Sequence, residues 1–242
     1  MANVKLSGVT AELAPLIQKS VNSVAKSFYS EGLGAQTTQD AILAPLFDAG
    51  YVRASLSGIT LTPTLTGDTA FVVLSANLDA GDIYNVASIT FAGTPLLSAD
   101  AFATTQKLHA GDIASRALLI QTLTPLDAAY RRQGYMDVLV KTSPVSDAAT
   151  RQVSYTVSVD PGEPYRVREV KVTGLEAAAQ AEFDRGFLMK TGELYSPEYA
   201  TNFLKNNTAL QSLQHYTGSF KAYADTNTHT VDLFITFFPY AR

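Results

Sequence analysis

The stretch PGEPYRVREVKVTG, residues 161–174, decides the fold because its pattern occurs twice in the chain. Upstream, AGDIYNVASITFAG, residues 80–93, places a glycine, a tyrosine, a valine and a closing glycine 81 residues earlier. Two more pairs match at this offset: Gly111 with Gly192, and Ser115 with Ser196. Six matches at one spacing predict tandem copies of a small domain.

An earlier and more divergent copy precedes these two. Residues 71–78 read as a strand 81 residues before residues 152–159, and Gly50-Tyr51 lies 84 residues before Gly134-Tyr135. Turns centred on glycine separate the copies. The sequence therefore predicts three modules, at residues 1–80, 81–162 and 163–242.

Hydrophobic periodicity predicts the elements of the third module. Val170 and Val172 alternate with polar residues in a half-buried strand, and residues 176–189 have the spacing of an amphipathic helix. Ser196 and Pro197 are typical of a second helix start, and Gly218 is expected to end that helix. Two alternating strands follow, carried by Phe220, Ala222 and Ala224 and then by Val231, Leu233, Ile235 and Phe237.

The other two modules are predicted to have the same order. The middle one has strands at 89–91, 136–141 and 153–159 and helices at 99–108 and 115–132. The first has a strand at 4–6, one long helix over 9–29 and a second over 37–48. This order is α+β: tandem β-α-α-β-β modules, each a three-stranded sheet covered on one face by two helices. In the second and third modules the first strand changes parity after its tyrosine and valine, which predicts a bulge or a late entry into the sheet.

Composition excludes several classes of function. The 242 residues are 46% hydrophobic and 17% charged, with a net charge of −4 and no cluster of Lys or Arg, so we expect no nucleic-acid partner. There is no cysteine, which excludes disulfides and thiol catalysis. No stretch reads as a membrane span or as a secretory leader, so an exported protein would have lost its leader.

No group of residues has the spacing of an active site. His109, His215 and His229 are not within metal-ligand spacing of one another, and each is expected at the surface near a turn or helix end. Ser115 and Ser196 are explained as helix caps. We therefore expect no catalytic, metal or cofactor site, and no enzyme.

The repeat resembles the POTRA domains of the outer-membrane β-barrel assembly factor (surface antigen) family. Residues 162–174, which begin with the tyrosine-led strand, and residues 130–135, which contain Gly-Tyr, carry the resemblance. It covers the second and third modules well, although the third has Gly218-Ser219 where Gly-Tyr is expected. The resemblance implies a periplasmic arm that binds unfolded outer-membrane proteins and periplasmic or lipoprotein accessory factors. It also implies attachment to the outer membrane only through a C-terminal barrel that this sequence does not include.

Such a module exposes sheet edges, whose unpaired N–H and C=O groups can pair with a strand from a partner. We predict that the strand after the second helix is the binding edge in the second and third modules. The residues concerned are Met136, Asp137, Val138, Leu139, Val140 and Lys141, and Ser219, Phe220, Lys221, Ala222 and Tyr223.

The turns between modules are predicted to be hinges of unequal freedom. Gly81 permits positive φ and therefore bending, whereas Pro161 and Pro164 restrict the second turn. We expect the first junction to be the freer one. The hinge residues are Ala80, Gly81 and Asp82, and Pro161, Gly162, Glu163 and Pro164.

Two other functions remain open from the sequence. One is an arm of a two-partner secretion transporter that recognises a single client. The other is a structural spacer that positions a membrane barrel.

Overall fold

The strand–helix–helix–strand–strand order occurs three times, as the sequence predicts. The computed structural model describes residues 3–26, 33–66, 69–93, 95–206 and 210–240. The first module contains β1 (Asn3–Ser7), α1 (Ala14–Ala25), α2 (Leu33–Asp48), β2 (Ser55–Thr66) and β3 (Thr69–Asp79). The second contains β4 (Asn85–Ala92), α3 (Ala99–Thr105), α4 (Arg116–Arg132), β5 (Leu139–Asp147) and β6 (Gln152–Asp160). The third contains β7 (Arg166–Thr173), α5 (Ala177–Gly186), α6 (Pro197–Lys205), β8 (Tyr216–Asp225) and β9 (Thr230–Pro239), with a 3-10 turn at Gln211–Leu213.

In each module the last strand is the central one. The sheet orders are β1-β3-β2, β4-β6-β5 and β7-β9-β8. In the first and third sheets the first strand pairs in parallel with the last, and the second strand pairs antiparallel with it. The predicted fold class is confirmed, and every sheet has two edges, formed by its first and second strands.

Alternating side chains of the central strands form the cores. Leu74 in β3, Val153 in β6 and Leu233 in β9 are each fully buried. The third core is rich in aromatic side chains, and the Phe183 and Phe187 rings stack with their centroids 4.9 Å apart. Contacts divide the chain into two compact units, and the middle module contributes to both. One unit is Met1–Phe91, Thr104–Leu123 and Thr142–Val157; the other is Ala92–Ala103, Thr124–Lys141 and Ser158–Arg242.

The change of parity in the first strand is a β-bulge in the third module, as predicted. Val167 pairs with Val231 and Glu169 pairs with Asp232, so Arg168 is the additional residue. The bulge lets the residues on both of its sides face the same core. Val167 is therefore buried and Val170 packs on the same cluster.

The first helix is shorter than residues 9–29. It begins at Ala14, with Pro15 in its first turn, and ends at Ala25. Proline fits the first turn because its missing N–H has no intrahelical partner there. Residues 27–29 of the predicted helix lie outside the described residues, and α2 begins at Leu33 rather than at residue 37.

The prediction for Gly218 was wrong. This glycine lies inside β8 and does not end the preceding helix. A Cβ there would lie 2.8 Å from Leu204 Cδ2 and 2.9 Å from the ring of Phe237. The glycine therefore lets α6 approach the sheet closely, a requirement that only the packing reveals.

Candidate functional site: sheet edges and module junctions

Of the residues predicted as the binding edge of the middle module, half lie in a strand. β5 is an edge strand, but it begins at Leu139, so Leu139, Val140 and Lys141 belong to it while Met136, Asp137 and Val138 do not. Leu139 is 53% exposed, whereas Val138 is only 4% exposed.

Met136 and Asp137 are engaged in a turn. The Met136 carbonyl accepts a hydrogen bond from the Arg131 guanidinium at 2.7 Å. Asp137 Oδ2 accepts one from the Tyr165 hydroxyl, also at 2.7 Å. These residues therefore connect the end of α4 to the third module and are not available as an unpaired edge.

The predicted edge of the third module lies wholly within a strand. Ser219, Phe220, Lys221, Ala222 and Tyr223 all belong to β8, which pairs with β9 through ten consecutive residues without a register shift. Apart from the half-buried Phe220, these side chains are exposed. Their outward N–H and C=O groups form a regular row at the side of the sheet.

Three other edge strands, β2, β5 and β7, are less suited to accept a strand. Pro63 lies in β2 and Pro144 in β5, and proline in an edge strand removes a donor from the exposed side. β2 also has a register shift between Ser57 and Thr60. On the other side of the third sheet, β7 carries the bulge at Arg168. Bulges and prolines are common protections against unwanted strand pairing, and β8 has neither.

An ion-pair network joins the strands of the third sheet. Arg168 Nε donates to Asp232 Oδ1 at 2.8 Å, and a second nitrogen of this guanidinium lies 3.7 Å from Asp225 Oδ2. The hydrogen bond from Arg168 lowers the pKa of Asp232, and Asp232 in turn raises the pKa of Arg168. The bulged residue therefore links β7 electrostatically to both β9 and the end of β8.

The aspartates that end β5 and β8 shape the hairpin turns. Asp147 Oδ1 accepts from the Ala149 N–H at 2.8 Å, and Asp225 Oδ1 accepts from the Asn227 N–H at 3.0 Å. These backbone hydrogen bonds are the main reason why the pKa of each aspartate lies below its usual value. Each is an Asx turn, which sets the geometry of the hairpin.

At the junction between the second and third modules one tyrosine makes two main-chain hydrogen bonds, and the bond to Gly134 joins the modules. The Tyr165 N–H donates to the Gly134 carbonyl at 2.8 Å, and the Tyr165 carbonyl accepts from the Tyr195 N–H at 2.9 Å. The ring of Tyr165 is 1% exposed, and the His229 ring packs against it edge to face at 5.2 Å. Gly134 has φ +88°, and a Cβ there would lie 2.9 Å from the Tyr165 carbonyl oxygen.

The junction between the first and second modules has the same bonds. The Tyr84 N–H donates to the Gly50 carbonyl at 2.9 Å, and the Tyr84 carbonyl accepts from the Ala114 N–H at 2.9 Å. Gly50 has φ +91°, and its Cβ would lie 2.5 Å from Ile113 Cγ2. We call Tyr84 and Tyr165 the junction tyrosines. The Gly-Tyr pairs that the sequence singled out supply the glycine acceptors.

Side chains at the two junctions differ. At the first, Asp48 Oδ1 accepts from the Ala117 N–H in the first turn of α4 at 2.9 Å, and a hydrogen bond with Tyr84 raises the pKa of Arg53. At the second, Arg132 Nε lies 3.6 Å from Glu198 Oε2 in the first turn of α6. In both cases the last residue of one module's second helix contacts the start of the next module's second helix.

The predicted hinge residues lie directly before the junction tyrosines. Ala80 is buried in the first core, and Gly81 has φ +65° and donates to Asp79 Oδ1 at 3.1 Å. Asp82 pairs with Arg151 at 3.2 Å. Gly162 also has φ +65° and, like Pro161, Glu163 and Pro164, it lies outside regular secondary structure. The predicted difference in freedom between the junctions stays a prediction.

The described residues contain no group of three or more His, Cys, Asp or Glu side chains that could hold a metal ion. His109 Nδ1 lies 3.4 Å from Asp112 at an exposed turn. Within the described ranges, no helix has the length and apolar character needed to cross a membrane.

Comparison with known proteins agrees with the fold. Residues 84–162 match the family profile of POTRA, described as a surface antigen variable number repeat. A relative from Treponema pallidum (strain Nichols), named as an outer membrane protein assembly factor, is 21% identical over 212 residues, or 85% of this chain. The chain spans 25% of the length of that relative.

A solved structure has a similar fold. The crystal structure of POTRA3-5 of BamA from Haemophilus influenzae superposes with a TM-score of 0.62 at 16% identity, covering 98% of this chain and 94% of that one. The resemblance drawn from the sequence is thus confirmed: residues 84–162 match the POTRA family, and the chain as a whole is similar in fold to a tandem array of POTRA domains.

Proposed function

We propose that this chain is the periplasmic polypeptide-binding arm of an outer-membrane protein assembly factor, without enzymatic activity. The named function of the treponemal relative and the POTRA profile support the general role. Clients would be unfolded outer-membrane proteins, and accessory proteins would dock on the same array. The chain would lie in the periplasm, attached to the outer membrane.

The regular edge of β8 is the observation that carries the client-binding site. A strand added beside β8 would gain main-chain hydrogen bonds that depend little on client sequence. Alternate side chains of the added strand would contact exposed residues of β8 such as Lys221 and Tyr223. The Tyr223 side chain is 57% exposed. This combination suits a receptor for many different clients.

Photocrosslinking in cells tests this site in the full-length protein. A photoreactive amino acid replaces Lys221 in β8 or, as the matched control, Lys171 in β7. Both lysines are the registered neighbours of Phe234 in β9, so they probe opposite edges of one sheet at the same level. Val138 is a poor position for a probe because it is buried.

We expect crosslinks from Lys221 to many outer-membrane proteins and few from Lys171. One dominant crosslinked protein would instead indicate the dedicated client of a two-partner secretion arm. Absence of crosslinks from Lys221, in cells that assemble their outer-membrane proteins normally, would overturn the β8 site and favour a structural spacer.

Proline substitution separates strand pairing from side-chain contact. Neighbouring residues of a strand point their N–H groups to opposite sides, so only one of Lys221→Pro and Ala222→Pro removes an outward donor. The variant that keeps the β8–β9 ladder intact should retain wild-type thermal stability and lose crosslinking from a probe at Tyr223. Unchanged crosslinking in that folded variant would exclude main-chain pairing.

A further inference from the structure

The two module junctions repeat one another bond for bond, although their side chains differ. Each junction tyrosine donates its N–H to the glycine that follows the preceding module's second helix, and accepts from the loop that precedes its own module's second helix. Two residues later, the Val86 N–H donates to the Asp112 carbonyl at 2.8 Å, and the Val167 N–H donates to the Glu193 carbonyl at 2.9 Å. The side chains differ between the two junctions, whereas the pattern of main-chain hydrogen bonds is the same.

We propose that the junction tyrosine is a rigid joint that fixes the start of each module against the end of the helix before it. The inference is independent of the client-binding proposal, because it concerns the orientation of modules and not what they bind. The predicted hinge residues then lie between the last strand of one module and the junction tyrosine of the next. Because the sheet holds the strand and the joint holds the tyrosine, the residues between them cannot bend freely.

Burial supports a joint that persists in water. Tyr84 is 2% exposed and Tyr165 is 1% exposed, so the hydrogen bonds of their backbones are shielded by the ring and the residues packed around it. Breaking such a bond without a replacement leaves a buried polar group unsatisfied, which is unfavourable. Opening a junction would break the bond from the tyrosine N–H to the glycine carbonyl, which is the one that crosses between the modules.

The glycine acceptors make the joint possible. At Gly134 a side chain would meet the carbonyl oxygen of Tyr165, and at Gly50 it would meet the side chain of Ile113. Both glycines also have positive φ, which other residues adopt only with strain. A test must therefore separate backbone strain from the loss of the close approach.

Gly192 and Gly111 provide that separation. They have φ +89° and +90°, nearly the same as Gly134 and Gly50, but a Cβ at either position would have nothing within 4 Å. Gly192→Ala or Gly111→Ala therefore introduces the backbone strain of positive φ alone. Alanine at Gly134 or Gly50 introduces the strain together with the clash at the junction.

Distances between spin labels measure the joint directly. The chain contains no cysteine, so two introduced cysteines are the only labelled sites. Lys141→Cys with Lys205→Cys reports on the second junction, and Lys19→Cys with Gln121→Cys reports on the first; all four residues are exposed. We expect one narrow distance peak for each pair in the otherwise unchanged chain.

For the label pair at the second junction, Gly134→Ala should replace the single narrow peak by a broad distribution, while Gly192→Ala leaves the peak unchanged. For the pair at the first junction, Gly50→Ala should broaden the peak and Gly111→Ala should leave it unchanged. Thermal melting of each variant confirms that the modules are folded. A broad distribution in the unchanged chain would overturn the proposal, as would equal broadening by the junction and control alanines.

Discussion

At the scale of single residues, Gly218 shows how packing restricts a position that looks like a helix terminator in the sequence. Leu204 of α6 and the ring of Phe237 fill the space that a side chain at Gly218 would need. Because the glycine lies within a strand, its role is to let a helix approach and not to end one.

We predict that Gly218→Val destabilises the third module although valine favours strands. Overpacking of this kind costs about 1–3 kcal/mol, so the midpoint of urea unfolding should fall. Ala222→Val is the matched control, because Ala222 lies in the same strand and is exposed. Equal stability of the two variants would contradict the close approach of α6.

At the scale of elements, the third sheet depends on carboxylates that are charged in the folded state. Arg168 of β7 pairs with Asp232 of β9 and lies near Asp225 of β8. The pKa of Asp232 is lowered chiefly by its hydrogen bond from Arg168, and that of Asp225 chiefly by the N–H of Asn227.

We predict that acid weakens this sheet. A carboxylate whose folded-state pKa is lowered contributes stability above its unfolded value of about 3.9, and loses it as the pH falls through the folded pKa. The unfolding midpoint should therefore hold from neutral pH to about pH 5 and decrease below about pH 4. Asp232→Asn should reduce this decrease. The control Asp160→Asn, at a carboxylate outside every ion pair of the described residues, should preserve it.

Helices and most strands follow from local signals. Ser196 caps α6 by accepting from the Tyr199 N–H, as its place before Pro197 predicts. The bulge at Arg168 is also visible as a change of parity. The start of β5 is different: Met136, Asp137 and Val138 look like strand residues, but Arg131 and Tyr165 hold the first two in a turn. No local pattern records the partner Tyr165, which lies 28 residues beyond Asp137.

At the scale of the whole molecule, the first and third modules have separate cores. Leu74 is fully buried among residues of the first module, and Leu233 among residues of the third. Since buried side chains stabilise mainly the cluster that they contact, a cavity in one core should leave the other folded.

We predict that Leu74→Ala raises hydrogen exchange in β1, β2 and β3 while β7, β8 and β9 remain protected. A fully buried leucine replaced by alanine costs about 2–5 kcal/mol, enough to be seen by hydrogen exchange with mass spectrometry. Leu233→Ala should give the reverse pattern and serves as the matched control. Loss of protection throughout the chain in either variant would indicate one cooperative folding unit.

The sequence by itself determined how many helices and strands each module has and in which order they come. Turn residues and hydrophobic periodicity carry this information because they act over a few neighbouring positions. It also identified the glycines and tyrosines that recur at the junctions. Tertiary structure alone decided what those residues do. The bond from Tyr165 to Gly134 and the regular pairing of β8 depend on backbone groups from separate elements meeting in space, and backbone groups are the same for every side chain.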